Sequence, residues 1–128
     1  MFDLLHPGHI DILTAARQTA DALIVGINSD ESVRRLKGPT RPVRSDTDRS
    51  YVVAALECVD LVVIFPEDTP LNLIKHLKPD VIAKGGDYTE ATIVGAAEVK
   101  GWGGEVVVVP LTAGHSTTAI INRLNENG

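Results

Sequence analysis

Cysteine, aromatic side chains and clustered positive charge are all scarce in this sequence, and each shortage removes a class of protein. A lone cysteine, Cys58, rules out an intramolecular disulfide and suits a reducing compartment. Aromatic residues make up 4% of the chain against 44% hydrophobic residues, so the core has to be aliphatic. Twelve Lys and Arg face seventeen Asp and Glu, a net charge of −5, with no basic run. That argues against a nucleic-acid surface, which needs a basic face. No stretch approaches the roughly 20 apolar residues that span a bilayer. Met1 is followed at once by Phe2-Asp3, with no leader-like pattern. No Cys/His cluster has the spacing of a zinc site. The expectation is a cytoplasmic protein with neither nucleic acid nor membrane as partner. At 128 residues the chain suits one domain covering 1–128.

What is present alternates between apolar runs and helix-like segments. Strands are expected at Ala22–Asn28, Asp60–Phe65, Asp80–Ala83 and Glu105–Val109, the first of them buried on both faces. Helices are expected from Ile10 to Thr19, Asp30 to Leu36, Ser45 to Val59, Thr69 to Lys78, Ile93 to Lys100 and Ser116 to Asn125. Ser29 reads as an N-cap, Ser45 with Asp48 as a capping box, and Thr69-Pro70 as an N-cap and first helical residue. Strands joined by helical connections pair in parallel. The fold class is therefore α/β, a doubly wound parallel sheet of Rossmann-like type. In such sheets ligands bind beyond the carboxyl ends of the strands. Only Met1–Leu5 precede the first helix, so the first strand is expected to be missing or truncated to a stub.

His6-Pro7-Gly8-His9 carries the most chemistry. Two imidazoles flank a Pro-Gly pair at the mouth of a helix, where unpaired backbone N–H groups and the positive end of the dipole favour phosphate. Gly8 lets a ligand approach the backbone, and both histidines can donate to one phosphate group. Ser116-Thr117-Thr118 opens the last helix and offers hydroxyls and N–H groups in the same way. Lys37 ends a helix beside Gly38, in a loop that also holds Arg41 and Arg44, and can fold over a phosphate site. Lys84-Gly85-Gly86-Asp87 follows a strand, with glycines that admit close backbone approach. Each has a plainer reading: a polar loop, an ordinary cap, a solvated helix end, a tight turn.

Together, Phe2-Asp-Leu-Leu-His-Pro-Gly-His9, Asn28-Ser-Asp30, Leu36-Lys-Gly38, Arg41-Pro42, Lys84-Gly-Gly-Asp-Tyr88 and Gly114-His-Ser-Thr-Thr118 resemble the cytidylyltransferase-like nucleotidyltransferases. Within them the closest resemblance is to the adenylyltransferase domains of the ADP-heptose synthases. The resemblance implies AMP transfer from ATP to a heptose 1-phosphate with release of pyrophosphate, giving ADP-heptose for the lipopolysaccharide core. It implies His6, His9 and Lys37 as catalytic residues. Gly8, Lys84, Gly85, Gly86, Asp87, Ser116, Thr117 and Thr118 would bind nucleotide, and Asp3, Arg41 and Arg49 would bind substrate. It also implies Mg²⁺ carried with ATP and ligated largely by phosphates and water, with no protein carboxylate assigned to it. A homodimer, using the face of Tyr51–Leu56, and a separate sugar-kinase partner belong to the same picture. Two alternatives stay open: a cytidylyltransferase acting on glycerol 3-phosphate or another alcohol phosphate, and a non-catalytic nucleotide-binding module.

Overall fold

Proline at the first helical position has its φ already set and lacks only an N–H that no helix start would use. Pro7 does this here. The computed structural model describes residues 5–86 and 89–110, and its first helix, α1, runs Pro7–Arg17 rather than starting at Ile10. The remaining elements are β1 (Ile24–Asn28), α2 (Asp30–Lys37), α3 (Asp46–Ala54), β2 (Leu61–Phe65), α4 (Leu71–Leu77), β3 (Val81–Gly85), a 3₁₀ turn (Glu90–Thr92), α5 (Ala96–Gly101) and β4 (Glu105–Val109). The expected helix from Ser116 and the stub strand, except Leu5, lie outside the described residues.

The caps read from sequence form where serine is concerned. Ser29 Oγ accepts from Ser32 N–H at 3.2 Å, and Ser45 Oγ accepts from Asp48 N–H at 3.1 Å. Other boundaries move. Pro70 occupies the N-cap of α4 instead of its first turn, and no side-chain cap forms there. α3 stops at Ala54, short of Val59, because the chain must reverse to set β2 beside β1. Asp60 makes that junction: its carboxylate accepts Leu23 N–H at 2.8 Å and its own N–H reaches Leu23 O at 3.0 Å. α5 starts at Ala96 rather than Ile93, since Gly95 has φ of 88°, where an L side chain is strained. A Cβ at Gly95 would also strike Ile74.

β1 pairs in parallel with β2, from Ile24 opposite Leu61 to Asn28 opposite Phe65. β3 pairs in parallel with β4, from Val81 opposite Glu105 to Gly85 opposite Val109. Among the described residues these are two two-stranded halves rather than one continuous sheet. Two helices touch both. Leu13 of α1 shares a core cluster with Val25 and Ile27 of β1, while Ile12 lies against Gly85 of β3. Leu73 of α4 lies against Gly26 of β1, and Ile74 joins Ile82 of β3 around Gly95.

Aliphatic residues do fill the core: Leu13, Val25, Ile27, Val53 and Val59 form its main cluster. β1 is not buried on both faces as expected. Val25 and Ile27 point inward, and Ile24 is 43% exposed, because α1 and α3 cover one face more fully than α4 covers the other. No helix of the described residues is long and apolar enough to cross a membrane.

Candidate functional site

His6 is the N-cap of α1, with extended backbone (φ −145°, ψ 169°), and Gly8 and His9 form the first turn. His6 N–H donates to Nδ1 of His9 at 3.3 Å, and His9 N–H donates back to His6 O at 2.9 Å. The imidazoles stack with centroids 3.8 Å apart and planes 22° from parallel. His6 is buried, 7% exposed, and His9 is half-buried. Burial, reinforced by charge on His6, lowers the His9 pKa to about 4. His9 is therefore neutral at pH 7. Its Nδ1 is an acceptor, so its proton sits on Nε2. The result is an uncharged donor fixed at the positive end of a helix.

The end of β3 lies next to this turn. Lys84 and Gly85 belong to the strand, opposite Val108 and Val109, rather than to the loop after it. Gly86 N–H extends the ladder to Val109 O at 3.0 Å. A Cβ on Gly85 would run into Cδ1 and Cγ1 of Ile12. Ile12 is one helical turn from His9, so this contact sets the histidine end of α1 over the carboxyl end of β3.

A second polar group gathers at the carboxyl ends of β1 and β2. The first turns of α2 and α3 cap each other: Asp30 N–H donates to Asp46 Oδ2 at 3.0 Å, and Asp46 N–H donates to Asp30 Oδ1 at 2.6 Å. Arg49 Nη2 donates to the same Asp30 oxygen at 3.0 Å, and its Nε donates to Arg44 O at 3.2 Å. The Arg49 side chain is wholly buried, in contrast to the exposed Lys37 and Arg44 and the half-buried Arg41. α2 is tied to the end of β2 by Ser32 Oγ donating to Glu67 O at 2.8 Å and Arg35 Nη2 donating to Pro66 O at 2.6 Å. The loop that starts at Lys37, the far end of α2, thus returns at Arg44 to the start of α2, which follows directly on β1.

Asp3, Asp87, Ser116, Thr117 and Thr118 lie outside the described residues. Among the described residues, no group of three or more His, Cys, Asp or Glu is placed to hold a metal ion. Two surface hollows are lined by other residues. One is lined by Ala91, Ile93 and Gly95 with the start of α5, the other by Ile10, Thr14 and Arg17 of α1 with Leu56, Glu57 and Cys58. Neither holds a predicted site residue. An open phosphate cradle on a helix end is a matter of backbone and polar groups rather than of concavity.

The model of the family described as Cytidylyltransferase-like matches residues 1–123. The chain belongs to the cytidylyltransferase-like family. It is similar to the Bifunctional protein HldE of Acidiphilium cryptum (strain JF-5), 58% identical over 125 residues, which are 98% of this chain and 26% of that protein. The Bifunctional protein HldE of Hyphomonas neptunium (strain ATCC 15444) is 59% identical over 127 residues, 99% of this chain and 26% of the relative. The chain spans about a quarter of the length of these curated relatives. Among solved structures it is similar to the lipopolysaccharide core biosynthesis protein from Thermoplasma volcanium GSS1, with a TM-score of 0.69 and 27% identity, covering 88% of this chain and 90% of that one. The Rossmann-like α/β architecture of the cytidylyltransferase-like fold follows from these matches.

For this family member, sequence reasoning missed Asp30, Asp46 and Ser32. Asp30 and Asp46 were legible as acids in first turns, which complement the helix dipole, but not as each other's partners. Ser32 is fully buried and accepts from Asn28 Nδ2 at 3.1 Å, a role that only the spacing Ser29-x-x-Ser32 hints at.

Proposed function

We propose that the chain is an adenylyltransferase that transfers AMP from ATP to a heptose 1-phosphate, releasing pyrophosphate and giving ADP-heptose for the lipopolysaccharide core. The observation that carries this reading is the stacked His6–His9 pair at the start of α1, with neutral His9 beside the end of β3. The likeness to the HldE proteins and to the Thermoplasma volcanium protein supports the choice of substrates.

The chemistry asks little of the protein beyond alignment and charge. The attacking oxygen belongs to a phosphate monoester with a second pKa near ~6, already mostly dianionic at neutral pH, so no general base is needed. That oxygen bonds to the α-phosphorus of ATP as the bond to pyrophosphate breaks. His9 Nε2–H, His6 and the N–H groups of the first turn of α1 would donate to the phosphate oxygens as negative charge shifts onto the leaving group. Lys37 and Arg41 would bring positive charge from the loop, and Lys84 from the end of β3. Asp3, Asp87 and Ser116–Thr118 complete the proposed set. Mg²⁺ bound to the triphosphate would neutralise part of its charge, with phosphate oxygens and water as its principal ligands. Tyr51, 79% exposed on α3, is open for a homodimer contact, whereas Val53 of the same helix is spent in the core.

The test is pyrophosphate release. ATP, Mg²⁺ and heptose 1-phosphate together should support turnover, and His6→Ala or His9→Ala should each slow it roughly 100- to 1000-fold, the usual effect of losing one preorganised donor. Turnover preferring CTP and glycerol 3-phosphate would install the cytidylyltransferase instead. Tight ATP binding with no pyrophosphate from any acceptor would leave a binding module.

A further inference from the structure

We propose that Arg49 is a positioning residue: with Asp30 and Asp46 it latches the cationic loop 37–44 at the rim of the site, and phosphate is met by that loop rather than by Arg49. The inference rests on the adenylyltransferase reading above for its substrate and on the geometry for its mechanism.

The loop reads Lys37-Gly-Pro-Thr-Arg-Pro-Val-Arg44, with three cations and no acid. It starts at the last residue of α2 and ends one residue before the Ser45 cap of α3. The exchanged Asp30 and Asp46 hydrogen bonds bring its far side back to the start of α2, so α2 and the loop together form a closed excursion. Two carboxylates held at facing helix ends repel one another. The Arg49 guanidinium offsets this from the buried side, bonding Asp30 Oδ1 through Nη2. The same guanidinium holds the last loop residue through Nε and Arg44 O. One planar group therefore joins the helix junction to the loop's return limb. Lysine offers a single ammonium and cannot reproduce that fork. The junction is itself referenced to the strand ends through Ser32 and Arg35 on the 66–67 backbone. Arg49 is 1% exposed, while Lys37 and Arg44 are exposed. Incoming phosphate would reach the loop cations first.

Four proteins decide the matter: the parent, Arg49→Lys, Lys37→Ala and the double variant. Asp30→Ala, which removes the shared acceptor, serves as a second way to open the latch should Arg49→Lys fail to fold. Thermal unfolding checks folding, and hydrogen exchange reads residues 38–45. The expected result is a folded Arg49→Lys or Asp30→Ala protein whose loop amides exchange faster. Its kcat/KM should be lower by roughly 10- to 100-fold, the scale of an ångström-sized misplacement. Adding either change to Lys37→Ala should cost less than the product of the two separate losses, because part of what the latch positions, the Lys37 charge, is already gone. Unaltered exchange in the loop, or losses that multiply in the double variant, would overturn the proposal. A parent that forms no nucleotide sugar with any acceptor would defeat the adenylyltransferase reading, and the exchange measurement would still decide the latch.

Discussion

Nδ1 of His9 takes the backbone N–H of His6 while the two imidazoles lie face to face, 3.8 Å between centroids. The arrangement does two things at once. It closes the start of α1 with a histidine in the place a glutamate or glutamine fills in a capping box. It also removes a proton from His9, because a half-buried ring beside a second imidazole charges only with difficulty.

His9 should titrate with a midpoint near 4, well below the ordinary 6.5, when followed by NMR of the ring nitrogens. The sign of the stability effect follows. As pH falls the unfolded chain takes up this proton first, so the contribution of neutral His9 is complete above 6.5 and is lost as pH drops from 6.5 towards 4. Urea unfolding across that window should show the decline, and His9→Gln should flatten it. A His9 midpoint at 6.5 would contradict the stacked geometry.

Gly85→Ala should destabilise the fold by about 1–3 kcal/mol, the usual cost of overpacking, since the new methyl meets Ile12 beneath α1. Ile12→Ala removes the atoms in the way. The double variant should be more stable than the two single losses added together, measured by chemical unfolding. Strict additivity would mean that α1 does not sit on β3 as described.

Among the serines, Ser32→Ala should cost more than Ser45→Ala. Ser45 is an exposed cap, worth about 0.5–2 kcal/mol. Ser32 is fully buried, and its loss removes two hydrogen bonds, to Glu67 O and from Asn28 Nδ2, each worth about 0.5–1.5 kcal/mol, and leaves a small void as well. Thermal unfolding of both variants gives the order.

Chelation of divalent ions should stop turnover without lowering the melting temperature of the nucleotide-free protein. Among the described residues no group of three or more His, Cys, Asp or Glu side chains is placed to hold a metal ion, so the ion that matters is expected to arrive with the triphosphate. A melting temperature that falls with EDTA alone would reveal a structural ion.

Much of this architecture was legible in the sequence because its signals are local. Apolar runs mark β1 to β4, and Ser29 and Ser45 announce the helices after them. The start of α1 was harder: Pro7-Gly8 looks like a turn, although proline at a first helical position begins one. The end of β3 was hidden by Gly85, a poor strand former that is there because Ile12 presses on it. The Asp30–Asp46–Arg49 junction left no periodic trace, since its partners are 16 and 19 residues apart and meet only in the folded chain. The His9 proton is likewise a property of packing, invisible until the rings are stacked.

The mutual fastening of Asp30 and Asp46 has an evolutionary consequence. A segment pinned at its base can change length without disturbing what lies on either side, and a doubling of such a loop costs only about 0.6 kcal/mol in closure entropy. Insertions between Gly38 and Val43 should therefore be tolerated at little thermodynamic cost, leaving the packing of α2 and α3 intact.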